Sequence, residues 1–207
     1  MIVPIINEQE REKAVAKIAR ARDVATRVQI DIEDGMFVDR FTIFPSDLVD
    51  VEWGGLSPEY HLMVDDPTEW IEECVSSKAV KIIGQVERMG NQELFVSDVS
   101  THGVMAGLGL ELLTPLSALS KKVLDKVDTI LLLSIPTGPS GSEIDERIYA
   151  KIRELRNIYA GTIFVDGGVN PETYRRVREA GADEAGSSSY LWQGELAEKL
   201  LEFEEKL

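Results

Sequence analysis

The sequence predicts an α/β fold, closed as a single (β/α)8 barrel over residues 1–207. Three observations predict it. Eight short apolar runs alternate with longer amphipathic segments, the pattern of a parallel sheet whose strands are joined by helical crossovers. Unusual polar residues gather toward the C-terminal ends of those runs, the end at which such barrels place their sites. The first strand also lacks the Gly-rich turn that a doubly wound, dinucleotide-binding sheet would place after it.

The elements follow in order. Residues 2–6 read as the first strand. A helix over 8–22 follows, with Ala14, Val15, Ile18 and Ala19 on one face and Asn7 as its N-cap. The second strand, 28–32, runs into Glu33-Asp34-Gly35 and a long loop through Pro45; residues 46–57 hold only a short turn. The third strand is 60–64, and Asp66-Pro67 opens the helix after it. The fourth is 79–83, and the fifth is 104–110, with Gly103, Gly107 and Gly109 in or beside it. Each of these is followed by a helical segment. The sixth strand, 129–133, reads as fully buried; Pro136, Gly138, Pro139, Ser140 and Gly141 form the next loop, and a helix starts near Ser142 with Glu143 in its first turn. The seventh strand, 161–165, ends in Asp166-Gly167-Gly168, and Pro171 suits the first turn of a helix. A short eighth strand, 184–186, precedes an acidic amphipathic helix over 191–207.

Composition narrows the function. A formal net charge of −15 argues against nucleic acid and against an anionic membrane surface, both of which call for clustered Lys and Arg. It leaves room for a small anionic ligand at a locally positive site. The single cysteine, Cys74, excludes an intrachain disulfide and a multi-cysteine zinc site, and reads as a small buried apolar residue. No secretory leader pattern opens the sequence, and no apolar run approaches the roughly 18 residues that span a bilayer. The expectation is a cytoplasmic protein.

The second strand carries the strongest chemical signal. Gln29, Asp31 and Glu33 alternate, so a period of two puts them on one face, with Val28, Ile30 and Ile32 on the helix side. An inward polar row is costly unless it builds a site or a fully paired network. His61, in the third strand beside that row, is a candidate ligand as well as a candidate core histidine. His102, next to Gly103, is assigned no role. Three late loops offer backbone amides to an anion: Gly138 to Gly141, Gly167-Gly168, and Gly186-Ser187-Ser188-Ser189.

These residues resemble a known family. Gln29-Ile30-Asp31-Ile32-Glu33-Asp34-Gly35-Met36-Phe37-Val38 is similar to the second-strand motif of the ribulose-phosphate 3-epimerases. His61-Leu62-Met63-Val64, with Asp66-Pro67 and Trp70, is similar to the third-strand motif, and Phe164-Val165-Asp166-Gly167-Gly168-Val169 to the seventh. The resemblance implies a (β/α)8 barrel that interconverts ribulose 5-phosphate and xylulose 5-phosphate. It implies a divalent metal, often zinc, held by two histidines and two aspartates, and a possible homo-oligomer. The same aspartates exchange protons at opposite faces of C3, while the metal offsets the negative charge that develops.

Residue by residue, the resemblance assigns Asp31 and Asp166 to proton transfer. It assigns Gln29, Asp31, His61 and Asp166 to the metal. Asn7, Glu33, Gly138, Ser140, Gly141, Gly167, Gly168, Gly186, Ser187 and Ser188 fall to the sugar phosphate. Two departures stand out. Gln29 replaces a histidine ligand, and an amide oxygen binds zinc more weakly than imidazole. Glu33 replaces a methionine and adds charge near its neighbours. The metal is therefore open among zinc, manganese, iron and magnesium, or absent. A barrel that binds a phosphosugar without turnover stays open as well, as does one that catalyses decarboxylation or aldol cleavage. Lys81, in the fourth-strand region, would serve the last of these if its side chain points inward.

Overall fold

A computed structural model describes residues 1–135 and 142–205. Eight parallel strands close in sequence order into a barrel: β1 (Ile2–Ile6), β2 (Arg27–Glu33), β3 (Ser57–Met63), β4 (Lys81–Gln85), β5 (Met105–Leu110), β6 (Thr129–Leu133), β7 (Thr162–Asp166) and β8 (Glu184–Ser187). β1 pairs with both β2 and β8, which completes the ring. The described helices are α1 (Arg11–Ala21), α2 (Ile71–Ser76), α3 (Gln92–Thr101), α4 (Arg147–Arg156), α5 (Pro171–Ala180) and α6 (Leu196–Glu204).

The period of two in the strands divides the core. Ile30, Ile32, Tyr60, Leu62, Ile130, Leu132 and Val165 pack outward against Ala14, Ile18, Phe95, Val99, Ile152, Tyr174 and Phe203 of the helices. Inside the ring lies a separate apolar belt of Val3, Ile83, Leu131, Leu133 and Phe164. The lumen is narrow. A Cβ at Gly186 would sit 2.2 Å from Ile5 Cδ1, so β8 needs a residue without a side chain where it passes β1.

Below the belt, toward the strand N-termini, four charges close the barrel. Arg27 bonds to Glu184 through Nη1 (2.5 Å) and to Glu59 through Nε, while Lys81 Nζ lies 3.4 Å from Glu59 and 3.8 Å from Glu184. Two cations and two anions balance. Lys81 does point inward, but it opens β4, so it belongs to this plug rather than to the opposite mouth where the aldol reading needed it.

Several expected boundaries move, each for a local reason. Lys78 adopts a left-handed backbone (φ 72°), which delays β4 by two residues relative to 79–83 and carries it through Gln85. Asn7 does not cap α1; Glu10 holds the cap position, and the Asn7 side chain turns into the barrel mouth. α4 begins at Arg147 rather than near Ser142, because the preceding chain runs against β6 and β7. Asp145 N bonds to Ser134 O at 2.9 Å, and Ile144 lies where a Cβ on Gly168 would fall. The segment after β5 forms a 3-10 turn at Leu116–Ala118 and further turns, not a helix. Pro115 interrupts it by removing a backbone donor, and Lys151 Nζ instead binds its carbonyls at Leu112 (3.1 Å) and Thr114 (2.7 Å). The last helical segment is divided by Gly194 into a 3-10 turn, Leu191–Gln193, and α6. The expected helix start at Pro171 holds, with Asn170 accepting from the amides of Glu172 (3.0 Å) and Thr173 (3.1 Å). Cys74 is fully buried in α2.

The plug sets the first prediction. Arg27→Met leaves Glu59, fully buried, and Glu184, largely buried, facing Lys81 and the Met1 amino group without their closest cation. The loss should be about 3–5 kcal/mol, the range for breaking a buried ion pair from one side, read as a shift in the urea midpoint. A loss under about 1 kcal/mol would show that the plug contributes only what an exposed pair does.

Candidate functional site

The register of β2 and β3 makes Asp31 and His61 direct neighbours, and Gln29 pairs one step below with Glu59. Asp166 ends β7 opposite Leu133, across the mouth from β2. Closure of the ring brings these strands together over the apolar belt. Gln29 and His61 are fully buried, and Asp31, Glu33 and Asp166 are each less than a tenth exposed.

One amide joins the two aspartates. Gln29 Nε2 donates to Asp31 Oδ1 at 2.9 Å and to Asp166 Oδ2 at 3.0 Å. His61 Nδ1 lies beside the same atoms, 3.3 Å from Asp31 Oδ1 and 3.6 Å from Asp166 Oδ2. Its other nitrogen, Nε2, lies 2.9 Å from Nε2 of Gln85 at the end of β4. Asn7 Nδ2 donates to Asp31 Oδ2 (3.2 Å) and Glu33 Oε1 (3.0 Å), and Arg40 Nε approaches Glu33 Oε2 at 3.5 Å. Thr42 ties the returning loop to β2, accepting from Glu33 N and donating to Asp31 O, both at 2.9 Å.

Crowded acids in a dry pocket resist ionisation. Burial, reinforced by the charge of Asp31, raises the pKa of Asp166 to about 7, against the pull of His61 and Gln29. Burial likewise raises Glu33, with Asn7 opposing it. Burial alone would lower the pKa of His61, but the hydrogen bond and charge of Asp31, with Asp166 and Glu33 behind it, outweigh that and raise it.

Gln29, Asp31, Glu33, His61, Asp166 and Asn7 thus meet in one pocket. Gly167 (φ 102°) and Gly168 (φ 65°) form a left-handed turn directly after Asp166. Gly186 lies within β8 against Ile5, Ser187 Oγ donates to Val169 O at 2.8 Å, and Ser188 follows the strand. Gly168, Asn170, Thr173 and Ser189 line a hollow of about 360 Å³ beside the mouth. Arg176, also on that hollow, is paired with Glu146. Gly138, Ser140 and Gly141 lie outside the described residues. His102 caps the end of α3, 3.5 Å from Glu72 on the outer surface.

Sequence reading missed Gln85, Arg40 and Thr42. Gln85 was visible in principle: Lys81, Ile83 and Gln85 alternate on one face, but ending the strand at residue 83 left the glutamine outside. Gly109 then makes room for it, since a Cβ there would lie 2.8 Å from Gln85 Nε2. Arg40 and Thr42 arrive through a loop with no local signature.

The raised acids make a sign-definite prediction for the protein held free of metal by a chelator. Asp166, with a folded pKa of about 7 against an ordinary 3.8, binds its proton in the folded state before it does in the unfolded one. His61 and Glu33 act in the same sense. Folding stability should therefore fall as pH rises from 4.5 to 7.5, by up to about 1.4 kcal/mol per unit for each group titrating. Asp166→Asn should flatten that slope in urea titrations; a wild-type slope of zero or the opposite sign would refute the charge assignment.

Comparison with known proteins gives concordant results. Residues 3–192 match the model of the ribulose-phosphate 3 epimerase family. Ribulose-phosphate 3-epimerase of Mycobacterium leprae is 32% identical over 189 residues, covering 84% of each chain. That of Bacillus subtilis is 31% identical over 172 residues, covering 79% of each. Among solved structures, a mutant tryptophan synthase α-subunit from Pyrococcus furiosus superposes with a TM-score of 0.74 at 15% identity, over 99% of this chain and 97% of that one. At that identity the last likeness speaks to the fold alone.

Proposed function

The chain belongs to the ribulose-phosphate 3-epimerase family, and we propose that it interconverts ribulose 5-phosphate and xylulose 5-phosphate by moving the C3 proton between Asp31 and Asp166. The observation that carries this reading is the buried group of Asp31, His61 and Asp166, whose ligand-type atoms all lie within 4.8 Å of one another at the C-terminal mouth of the barrel.

The donor set fits a divalent cation. Two carboxylates and an imidazole suit zinc, manganese, iron or magnesium. A fourth oxygen is at hand: Gln29 Oε1 is buried with no hydrogen-bond partner among the described residues, and a half-turn of the amide would face it toward the two aspartates. Asp31, His61, Asp166 and Gln29 are therefore the residues that would hold the metal. A bound cation would supply positive charge next to the substrate oxygen that becomes negative as the C3 proton leaves.

The chain's own groups handle the protons. Epimerisation needs one carboxylate and one carboxylic acid on opposite faces of C3. The base removes the proton on its side, the acid delivers one on the other, and the reverse turnover restores the pair. Asp31 and Asp166 come from separate strands, β2 and β7, and on this reading would act on opposite faces of the substrate. Burial and the charge of Asp31 raise the pKa of Asp166 in the metal-free site, the direction that favours its holding a proton as the acid partner. Asn7 orients Asp31 through the Oδ2 atom not used by Gln29 or His61. Asn7 and Glu33, facing the same space, would receive sugar hydroxyls. Phosphate would lie toward Gly167, Gly168, Gly186, Ser187 and Ser188.

The test is proton exchange. Incubation of the zinc- or manganese-loaded protein with ribulose 5-phosphate in D₂O should place deuterium at C3 and produce xylulose 5-phosphate, followed by NMR. Asp31→Asn and Asp166→Asn should each lower kcat by about 10²–10⁴, the usual worth of a positioned acid or base. No exchange with either metal, or full activity in both variants, would overturn the proposal.

A further inference from the structure

Gln85 and Gln29 share an arrangement that goes beyond ligand identity. Each is fully buried and spends its amide nitrogen inside the cluster, Gln85 on His61 Nε2 and Gln29 on both carboxylates. Each leaves its amide oxygen without a hydrogen-bond partner among the described residues. Two orphaned buried carbonyls in one small site are costly, and a second state can use them.

The histidine supplies that state. In the neutral ring, an amide N–H₂ at 2.9 Å from His61 Nε2 calls for the lone pair on Nε2, which leaves the ring proton on Nδ1, beside Asp31 and Asp166. A cation bound among Asp31, His61 and Asp166 needs the lone pair of Nδ1 instead. The proton that leaves Nδ1 must then be carried on Nε2, where it would meet the N–H₂ of Gln85 head on. Rotating the Gln85 amide by a half-turn replaces that clash with an N–H donated to the orphaned Oε1. The same rotation at Gln29 withdraws its N–H₂ from the carboxylates and offers its orphaned Oε1 to the cation.

We propose that Gln85 is a positioning residue that sets the His61 tautomer, and that the Gln85 and Gln29 amides rotate together between a metal-free and a metal-bound arrangement. In the metal-free arrangement Gln29 bridges the two acids and Gln85 keeps the Nδ1 proton in place. In the metal-bound arrangement both amides present oxygen, and the ring proton has moved from Nδ1 to Nε2 with no net gain or loss on the imidazole. The proposal rests on the cation reading of the site but not on the identity of the sugar.

The chain has only two histidines, which makes the tautomer directly readable. In ¹⁵N-histidine-labelled protein treated with a chelator and held at alkaline pH, where the ring is neutral, long-range ¹H–¹⁵N spectra should show His61 protonated on Nδ1 alone. Zinc should move the proton to Nε2 and shift Nδ1 to a metal-bound position. Gln85→Glu, which only accepts, should hold the proton on Nε2 even without zinc and raise zinc affinity about 10-fold or more by calorimetry, within the usual reach of residues behind a metal ligand. The proposal is overturned by a metal-free His61 protonated on Nε2 or on both nitrogens, or by zinc that leaves the His61 signals unmoved. It is equally overturned if Gln85→Glu tightens zinc while the metal-free proton stays on Nδ1, since added charge alone would do that. Absence of C3 exchange together with the expected tautomer change would instead count against the epimerase reading and leave this one standing.

Discussion

Three acids and an imidazole share the dry mouth of this barrel, and the cost of keeping like charges there governs the groups around them. Asp31 and Asp166 approach from different strands and cannot both ionise freely in that space. The structure answers with donors: Gln29 between the two carboxylates, Asn7 between Asp31 and Glu33, and Arg40 beside Glu33. The raised pKa of Asp166 comes first from burial and then from the charge of Asp31, which those donors only partly offset. The same imbalance that burdens folding would favour a cation among these groups and, in the proposed reaction, the passage of a proton through a carboxyl group.

The lumen is built in three levels that make this possible. At the strand N-termini, Arg27, Lys81, Glu59 and Glu184 form a plug with no net charge. Above it, Val3, Ile83, Leu131 and Phe164 exclude water from below. Only the top level is unbalanced. The cations of the plug pair with Glu59 and Glu184 and so do not offset the acids of the mouth, although on β2 and β3 the two levels follow directly, Arg27 before Gln29 and Glu59 before His61. A lysine in the lumen is thus not by itself a reactive group; its height on the strand decides which set of charges it joins.

The replacement of a histidine by Gln29 looked from the sequence like the loss of a ligand. In the structure Gln29 keeps a two-sided capacity, since its amide offers a donor at Nε2 and an acceptor at Oε1 and a half-turn exchanges them. It is therefore suited to a site that is stable with its acids bridged and also stable with a cation among them. Gln85 brings the same two-sidedness to the back of His61.

The alternation of strands and helices and the inward row of Gln29, Asp31 and Glu33 were legible in the sequence, because each is a local consequence of chain periodicity, while His61 was tied to that row by strand order and the family motifs, and Asp166 only by the motifs. Family likeness was legible for the same reason, since its motifs lie within single strands. What tertiary structure decided depended on where strands begin and on what lies across the lumen. A left-handed residue at Lys78 shifted β4 and brought Gln85 behind His61. Asn7, a plausible helix cap by local rules, was drawn instead to carboxylates 24 and 26 residues away. Lys81 was assigned to the plug by its height in the ring. Sequence periodicity states which face a side chain takes; only closure of the barrel states at what level it stands and which charges it must face.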